Sequence, residues 1–428
     1  MINIIEFEKD REFLKKLLER SQFEFYEVNK AVDEILAEVR NRKDEAIKEC
    51  TLKFDGILLE DFLVSSEEID NAFNSIDKNL KEDLIKAKLN IEKYHNKQIR
   101  SSYTFYEGED IVLGQIVNPI EKVGIYVPGG SAAYPSTVLM NAVPAKIVGV
   151  KEIIMITPPN EQGKIKDSIL VAAHIAGVDK IYKVGGAQGI GALTFGTETI
   201  PKVDKIVGPG NIYVAMAKRK VSGYVGIDMV AGPSEILIIG DEYANAKYVA
   251  SDLISQAEHD EMAAPILVTS SHILARNVVM ELNIQVNDLQ RKDIIKKSLE
   301  NYGAIIITNC LSESIDIANE IAPEHLEILT KNPFEIYRRI KNAGAIFIGE
   351  YSPEPVGDYF AGTNHTLPTS STARFSSPLS IDDFIKKTSL VYYSKEALRK
   401  SKDSIIRIAE DEGLTAHANS IKVRFQEE

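Results

Sequence analysis

The amino-acid sequence predicts an α/β protein with two parallel-sheet cores, and three observations carry that expectation. Apolar, β-branched runs alternate with amphipathic stretches at intervals of roughly 25–30 residues. The runs are continuously apolar, as strands covered on both faces require. Glycine clusters close several of them, where strand gives way to helix.

Residues 1–22 read as an N-terminal segment. Between Phe23 and Ile47 apolar residues recur every three or four positions among Glu, Lys and Arg. A similar stretch runs from Ser66 to about Ile99, and both predict solvated helices. The pattern changes from Ile111. VGIYVPGG (Val123–Gly130), EIIMIT (Glu152–Thr157), KIYKVGG (Lys180–Gly186) and KIVGPG (Lys205–Gly210) form one strand series, separated by helix-like segments. A second series holds EILIIGD (Glu235–Asp241), ILVTSS (Ile266–Ser271), AIIITN (Ala304–Asn309) and AIFIGE (Ala345–Glu350). The two split near Gly232-Pro233. Each reads as an incomplete, doubly wound, Rossmann-like sheet. After Pro378 come two helical patterns and no further strand series, too few residues to bury a core alone, so this tail is expected to pack on a neighbour. The resulting division is 1–22; 23–122 with 236–377 as a first α/β domain; 123–235 as a second; and 378–428 as the tail.

Composition narrows the function. The 428 residues carry 50 Lys and Arg against 63 Asp and Glu, a net charge of −13. That balance argues against nucleic acid or an anionic membrane as a partner. No apolar run approaches the roughly 20 residues of a membrane span. The start, MINIIEFEKD, lacks the basic and apolar regions of a signal peptide, so a cytoplasmic location is expected. Two cysteines, Cys50 and Cys310, make no disulfide framework, and free cysteines usually serve packing.

In doubly wound sheets ligands sit beyond the carboxyl ends of the strands. Three glycine loops fall there: Gly129-Gly130, Gly185-Gly186-Ala187-Gln188-Gly189 and Gly208-Pro209-Gly210-Asn211. Backbone amides at such loops suit phosphate. None spells GxGxxG, so the loops alone do not identify a dinucleotide.

Of seven histidines, His95, His174 and His272 sit in structural contexts, and four accompany polar residues. These are Gln256-Ala-Glu-His259, Glu324-His325, Asp358 followed by His365, and His417. On a helix expected over about 244–259, Gln256 and His259 share a face. Oxygen and nitrogen donors from Gln, His, Asp and His suit Zn²⁺, although no HExxH or CxxC spacing supports a metal, and ordinary surface histidines stay open. Glu324 and His325 follow a helix and Pro323. On extended backbone they are expected to point to opposite sides and to do separate proton-transfer work.

Together these segments resemble the histidinol dehydrogenase family. The resemblance rests on VGIYVPGGSAAYPSTVLMNAVPAKIVGV, KVGGAQGIGALTFGT, KIVGPGNIYVAMAKR, DMVAGPSEILII, SDLISQAEHD, IAPEHLEI, GDYFAGTNHTLPT and GLTAHANS, spread from Val123 to Ser420. It implies oxidation of L-histidinol through L-histidinal to L-histidine with NAD, the last two steps of histidine biosynthesis. It also implies one zinc ion per subunit held by Gln256, His259, Asp358 and His417, and NAD contacts from Tyr126, Gln188 and Asn211. Substrate contacts map onto Ser234, Gln256, His259, His325, Asp358, His365, Glu412 and His417. His325 would be the general base and Glu324 the base that activates water on the aldehyde. The tail would dimerise, carrying His417 into the partner's site, so the expected assembly is a homodimer with shared active sites. Two other readings compete: a non-catalytic amino-acid-binding protein, and a zinc hydrolase in which Glu324 activates water without nicotinamide.

Overall fold

The computed structural model describes residues 2–6, 12, 15, 17, 26–129 and 133–426. Gly130 of the first glycine loop, most of the 1–22 segment and the start of the helix expected from Phe23 lie outside the described residues. The strands are β1 (Asn3–Glu6), β2 (Tyr103–Glu107), β3 (Ile111–Pro119), β4 (Lys122–Tyr126), β5 (Glu152–Thr157), β6 (Lys180–Lys183) and β7 (Lys205–Val207). There follow β8 (Gly226–Ile227), β9 (Glu235–Gly240), β10 (Ala264–Thr269), β11 (Ala304–Ile307), β12 (His325–Leu329), β13 (Ala345–Ile348) and β14 (Ile385–Tyr393). The chain divides into two units, one running to Gln98 with Ile120–Phe384, the other Ile99–Pro119 with the chain from Ile385 onward.

The first unit holds both parallel sheets. One has five strands in the order β6-β5-β4-β7-β8, the other six in the order β1-β11-β10-β9-β12-β13. Every neighbouring pair in them is parallel. The order reverses beside β4 in the smaller sheet and beside β9 in the larger, which makes these the switch points where crevices open. Along each strand alternate residues serve opposite faces. Val123, Ile125, Ile153 and Met155 pack on one side of the smaller sheet, with Ile154, Ile156, Tyr182 and Ile206 on the other. The larger sheet is likewise covered twice, and all six residues of β9 and of β10 are buried.

The helices Tyr26–Arg42 and Asp44–Asp55 send Val32, Leu36, Val39 and Ile47 to one face of the five-stranded sheet. Helices Ser66–Ser75 and Lys78–His95 send Ala72, Leu84, Ala87 and Ile91 to its other face. The sequence reading grouped residues 23–122 with 236–377; in the structure these four helices pack on the sheet of residues 122–227. Helical periodicity identifies an apolar stripe but not the sheet that receives it.

The second unit is an antiparallel sheet, β14-β3-β2, followed by helices Lys395–Asp411 and Thr415–Lys422. The tail, expected to be helical, therefore opens with a nine-residue strand in register with β3. No position of β14 is buried, so it lacks the apolar run that marked the other strands. No helix among the described residues is long and apolar enough to cross a membrane.

Candidate active site

At the carboxyl end of β4, the buried Tyr126 links two of the glycine loops. Its hydroxyl accepts the Gly186 N–H at 3.2 Å. A Cβ on Gly208 would lie 2.2 Å from the Tyr126 carbonyl oxygen, and one on Gly210 would lie 3.1 Å from the Tyr126 ring. Gly208 also has φ +109°, so glycine is required there on two counts. Burial pushes the Tyr126 phenol up to about 12, with the Gly186 N–H opposing and the charge of Asp55 adding to it. Gln188 is buried and its amide folds back over Gly186. Asn211 caps the helix Ile212–Val221, its Oδ1 accepting from Tyr213 and Val214 N–H. Tyr126, Gln188 and Asn211 thus stand on loops that meet around one ring.

Lys218 and Asp228, which the sequence did not single out, form a buried ion pair that grips the third loop. Lys218 Nζ donates to the Gly208 carbonyl at 2.8 Å, and Asp228 accepts the Gly208 N–H at 2.8 Å. Both backbone groups of one glycine are held by opposite charges, fixing the turn without help from regular secondary structure.

The second constellation lies at the amino ends of β9 and β12. His325 opens β12, and Glu324 precedes it. Both are buried, at 3% and 7% exposure. His325 Nδ1 lies 2.9 Å from the Glu235 carbonyl oxygen. A carbonyl only accepts, so Nδ1 carries a proton, and Nε2 is the nitrogen that holds the lone pair whenever the ring is neutral. Nε2 has no hydrogen-bond partner and faces Asp358 Oδ1 at 3.7 Å and Glu354 Oε1 at 4.0 Å. Glu324 Oε2 accepts the Glu235 N–H at 3.0 Å and lies 3.7 Å from His325 Nδ1. The expectation that the pair points to opposite sides is corrected here. Glu324 sits just outside the strand, so alternation does not apply, and the side chains approach without bonding to each other.

Electrostatics separates the groups. Burial would push the His325 imidazolium down, but the carboxylates of Glu324, Asp358 and Glu354 outweigh it and carry its pKa up to about 10. Burial pushes Glu324 up to about 7, with His325 opposing and Glu235 adding. Asp358 is driven down to about 2: burial opposes, and the adjacent His325 ring together with the charge of His365 prevails. Burial and the charge of Asp358 raise Glu354 to about 8.

Asp358 lies in the short π-helix Gly357–Ala361, and its carbonyl faces His365 Nδ1 at 3.0 Å. His365 Nε2 lies 3.2 Å from Thr137 Oγ1, which fixes the ring at both nitrogens. Gln256 sits in the last turn of the helix Ala246–Ala257, 1% exposed, with its Oε1 buried and unpartnered. His259 stands two residues beyond that helix rather than on it, its N–H bonded to the Gln256 carbonyl at 3.2 Å. Its imidazolium is pushed down by desolvation, while the charge of Asp358 opposes and that of His325 assists. Ser234 precedes β9 and accepts the Ala264 N–H at its carbonyl. Among the described residues, His325, Glu354 and Asp358 present one ligand-type atom each within 4.8 Å of one another. Glu412 and His417 belong to the second unit, where both side chains are exposed, one just after the helix Lys395–Asp411 and one on Thr415–Lys422. Cys310 is exposed at the start of the helix Leu311–Ile321, and Cys50 is half-buried.

The profile of the family described as histidinol dehydrogenase matches residues 18–425. The chain belongs to the histidinol dehydrogenase family. It is 58% identical over 414 residues to the histidinol dehydrogenase of Clostridium acetobutylicum, covering 97% of this chain and 96% of that one. It is 56% identical to that of Caldanaerobacter subterraneus subsp. tengcongensis, covering 99% of each. The crystal structure of histidinol dehydrogenase from Elizabethkingia anophelis superposes with a TM-score of 0.94 at 39% identity, covering 100% of this chain and 98% of that one. Within this family of oxidoreductases, Glu235, Glu354, Lys218 and Asp228 are the residues that sequence reasoning missed. One signal was available: Glu235 is an acid opening an otherwise apolar, wholly buried strand.

Proposed function

We propose that this chain oxidises L-histidinol through L-histidinal to L-histidine with two molecules of NAD⁺, and that Zn²⁺ holds the substrate. The observation that carries the reading is the buried Glu324–His325 pair, whose imidazole turns an Nε2 without a hydrogen-bond partner toward Asp358. Gln256, His259 and Asp358, with His417 of the partner subunit, would hold the metal. The residues fit such an ion: the Gln256 Oε1 is buried without a partner, and Asp358 stays ionised. When bound, the cation would supply positive charge that orients the imidazole and amine nitrogens of the substrate and disfavours the imidazolium form of His325. The tighter cluster of His325, Glu354 and Asp358 is a weaker ligand set for this reaction, because it would consume the lone pair of the base.

In the alcohol step His325 Nε2 takes the hydroxyl proton as hydride leaves carbon. Aldehyde oxidation needs an added oxygen. Glu324, raised toward neutrality by burial, takes a proton from water as that water adds to the carbonyl, and His325 returns its proton to the carbonyl oxygen to complete the hydrate. The regenerated imidazole then accepts a hydroxyl proton of the hydrate as the second hydride leaves to NAD⁺. Tyr126, Gln188 and Asn211 would line the nicotinamide cofactor, Ser234 and His365 the substrate, and Glu412 of the partner subunit the far imidazole nitrogen. A partner is supported by the second unit itself. Its strand β2 is exposed at all five positions, and its two helices bury only Ala397, Ala409 and Ala418. Product stoichiometry tests the reading. Two NADH per L-histidinol are expected; one NADH with accumulating aldehyde, or none, would overturn it.

A further inference from the structure

We propose that Glu235 is a positioning residue that aims the Glu324–His325 pair through its backbone and its carboxylate together. Its N–H donates to Glu324 Oε2 at 3.0 Å, and its Oε2 accepts the Glu324 N–H at 3.2 Å. Its carbonyl oxygen takes His325 Nδ1 at 2.9 Å. Its Oε1 accepts the N–H of Ser370, a non-glycine residue held at φ +57°. Four contacts from one residue therefore set the backbone of Glu324, the carboxylate of Glu324, the tautomer of His325 and a strained turn.

Any residue at this position would supply the N–H and the carbonyl. The carboxyl side chain adds an oxygen acceptor for each of two separate N–H groups, Oε2 for Glu324 and Oε1 for Ser370. Glu235 is 3% exposed, and burying a carboxyl group there carries a desolvation cost that an apolar residue would avoid. The other five residues of the strand are apolar or glycine, so the acid serves no packing need. Its charge also adds to burial in raising Glu324. The contacts fall unequally on the two catalytic groups: His325 is held through the Glu235 backbone, which survives side-chain substitution, whereas Glu324 depends on the side chain as well.

This inference rests on the reading of Glu324 as the base of the aldehyde step, and its test separates the two. In Glu235→Gln the amide keeps one acceptor and turns an NH₂ toward the N–H of Glu324 or Ser370. NADH formation is followed with L-histidinal supplied directly, and with L-histidinol in the first turnover, across pH, in the zinc-loaded dimer. The aldehyde step is expected to fall about 100-fold in kcat with little change in KM, as a displacement of about 1 Å produces. The alcohol step should fall much less. The acid limb of the aldehyde profile should move to lower pH, because a negative neighbour of Glu324 is gone. Equal losses in both steps with an unmoved limb would mean a merely structural role and would overturn the proposal. Should Glu235→Gln not fold, Glu235→Asp decides: it keeps the charge, so the limb should stay while the aldehyde step falls selectively. Equal loss in both steps there would again overturn it. If Glu324→Gln slows both steps alike, it is the reading of Glu324 that fails, whatever the Glu235 variants do.

Discussion

Lys218→Met removes a cation from the interior. The Lys218 and Asp228 side chains are 2% and 1% exposed. With the lysine gone, Asp228 keeps the N–H groups of Gly208 and Met229 but loses its counter-charge. Leaving one member of a buried pair unmatched costs about 3–5 kcal/mol. Lys218→Met with Asp228→Asn removes both charges, and the Asn oxygen still accepts one N–H. The Gly208 carbonyl loses its lysine donor in both variants, so the double exchanges an unmatched charge for one N–H that faces the amide nitrogen, a loss of about 1–3 kcal/mol. The double variant should therefore be more stable than the single by about 2 kcal/mol. Urea unfolding of the three proteins, followed by far-ultraviolet circular dichroism, reads the difference. A loss below about 1 kcal/mol in Lys218→Met, or a double variant less stable than the single, would refute the reasoning, since isolated charges are costly inside a core. The same loop carries Asn211, so the apparent KM for NAD⁺ in the double variant should rise with kcat largely kept, measured by NADH absorbance at saturating L-histidinol.

Glu324→Gln is expected to retain oxidation of L-histidinol to L-histidinal and to slow the second step by about 100-fold, seen as one NADH per substrate on the early time scale. His417→Asn should lower zinc per subunit by elemental analysis, and mixing it with Glu324→Gln subunits, which are slow in the second step, should regenerate some complete oxidation. No recovery in mixed dimers would argue against ligands contributed between subunits. Asp55 offers a pH test remote from the catalytic pair. Burial raises its pKa from the ordinary 3.8 to about 6, and one oxygen is buried without a partner. A carboxyl whose folded pKa is raised adds stability below its unfolded value and loses it as pH climbs through the folded value. Asp55→Asn should accordingly raise the melting temperature above about pH 6 and leave it unchanged below about pH 4. A variant that is less stable at pH 8 than wild type would contradict this.

Much of the fold was legible because its strands are buried on both faces. EIIMIT became β5 and EILIIG became β9 at the expected residues. The strands that escaped notice are those without that signature. β14 and β2 have no buried position, and β12, five residues long, follows Pro323-Glu324 closely enough to pass for a turn. In the site, residue types announced themselves where rare: seven histidines in 428 residues focus attention. Glutamates are abundant, so Glu235 and Glu354 had no comparable contrast. Lys218 lies in AKRK, which reads as a solvated run although its side chain is buried.

By itself the sequence determined the alternation of strand and helix, the glycines that close the strands, and the residue types able to move protons or bind a metal. These are local properties, set by periodicity, backbone freedom and side-chain chemistry over a few positions. Tertiary structure decided which carboxylates surround His325, which nitrogen of that ring carries the proton, and that helices 26–95 cover the smaller sheet. Those outcomes depend on groups distant in sequence: Glu235 reaches Glu324 across 89 positions, and Ser370 reaches Glu235 across 135. Desolvation and charge act through space, so the pKa values that distinguish Glu324 from Asp358 exist only once the chain has folded around them.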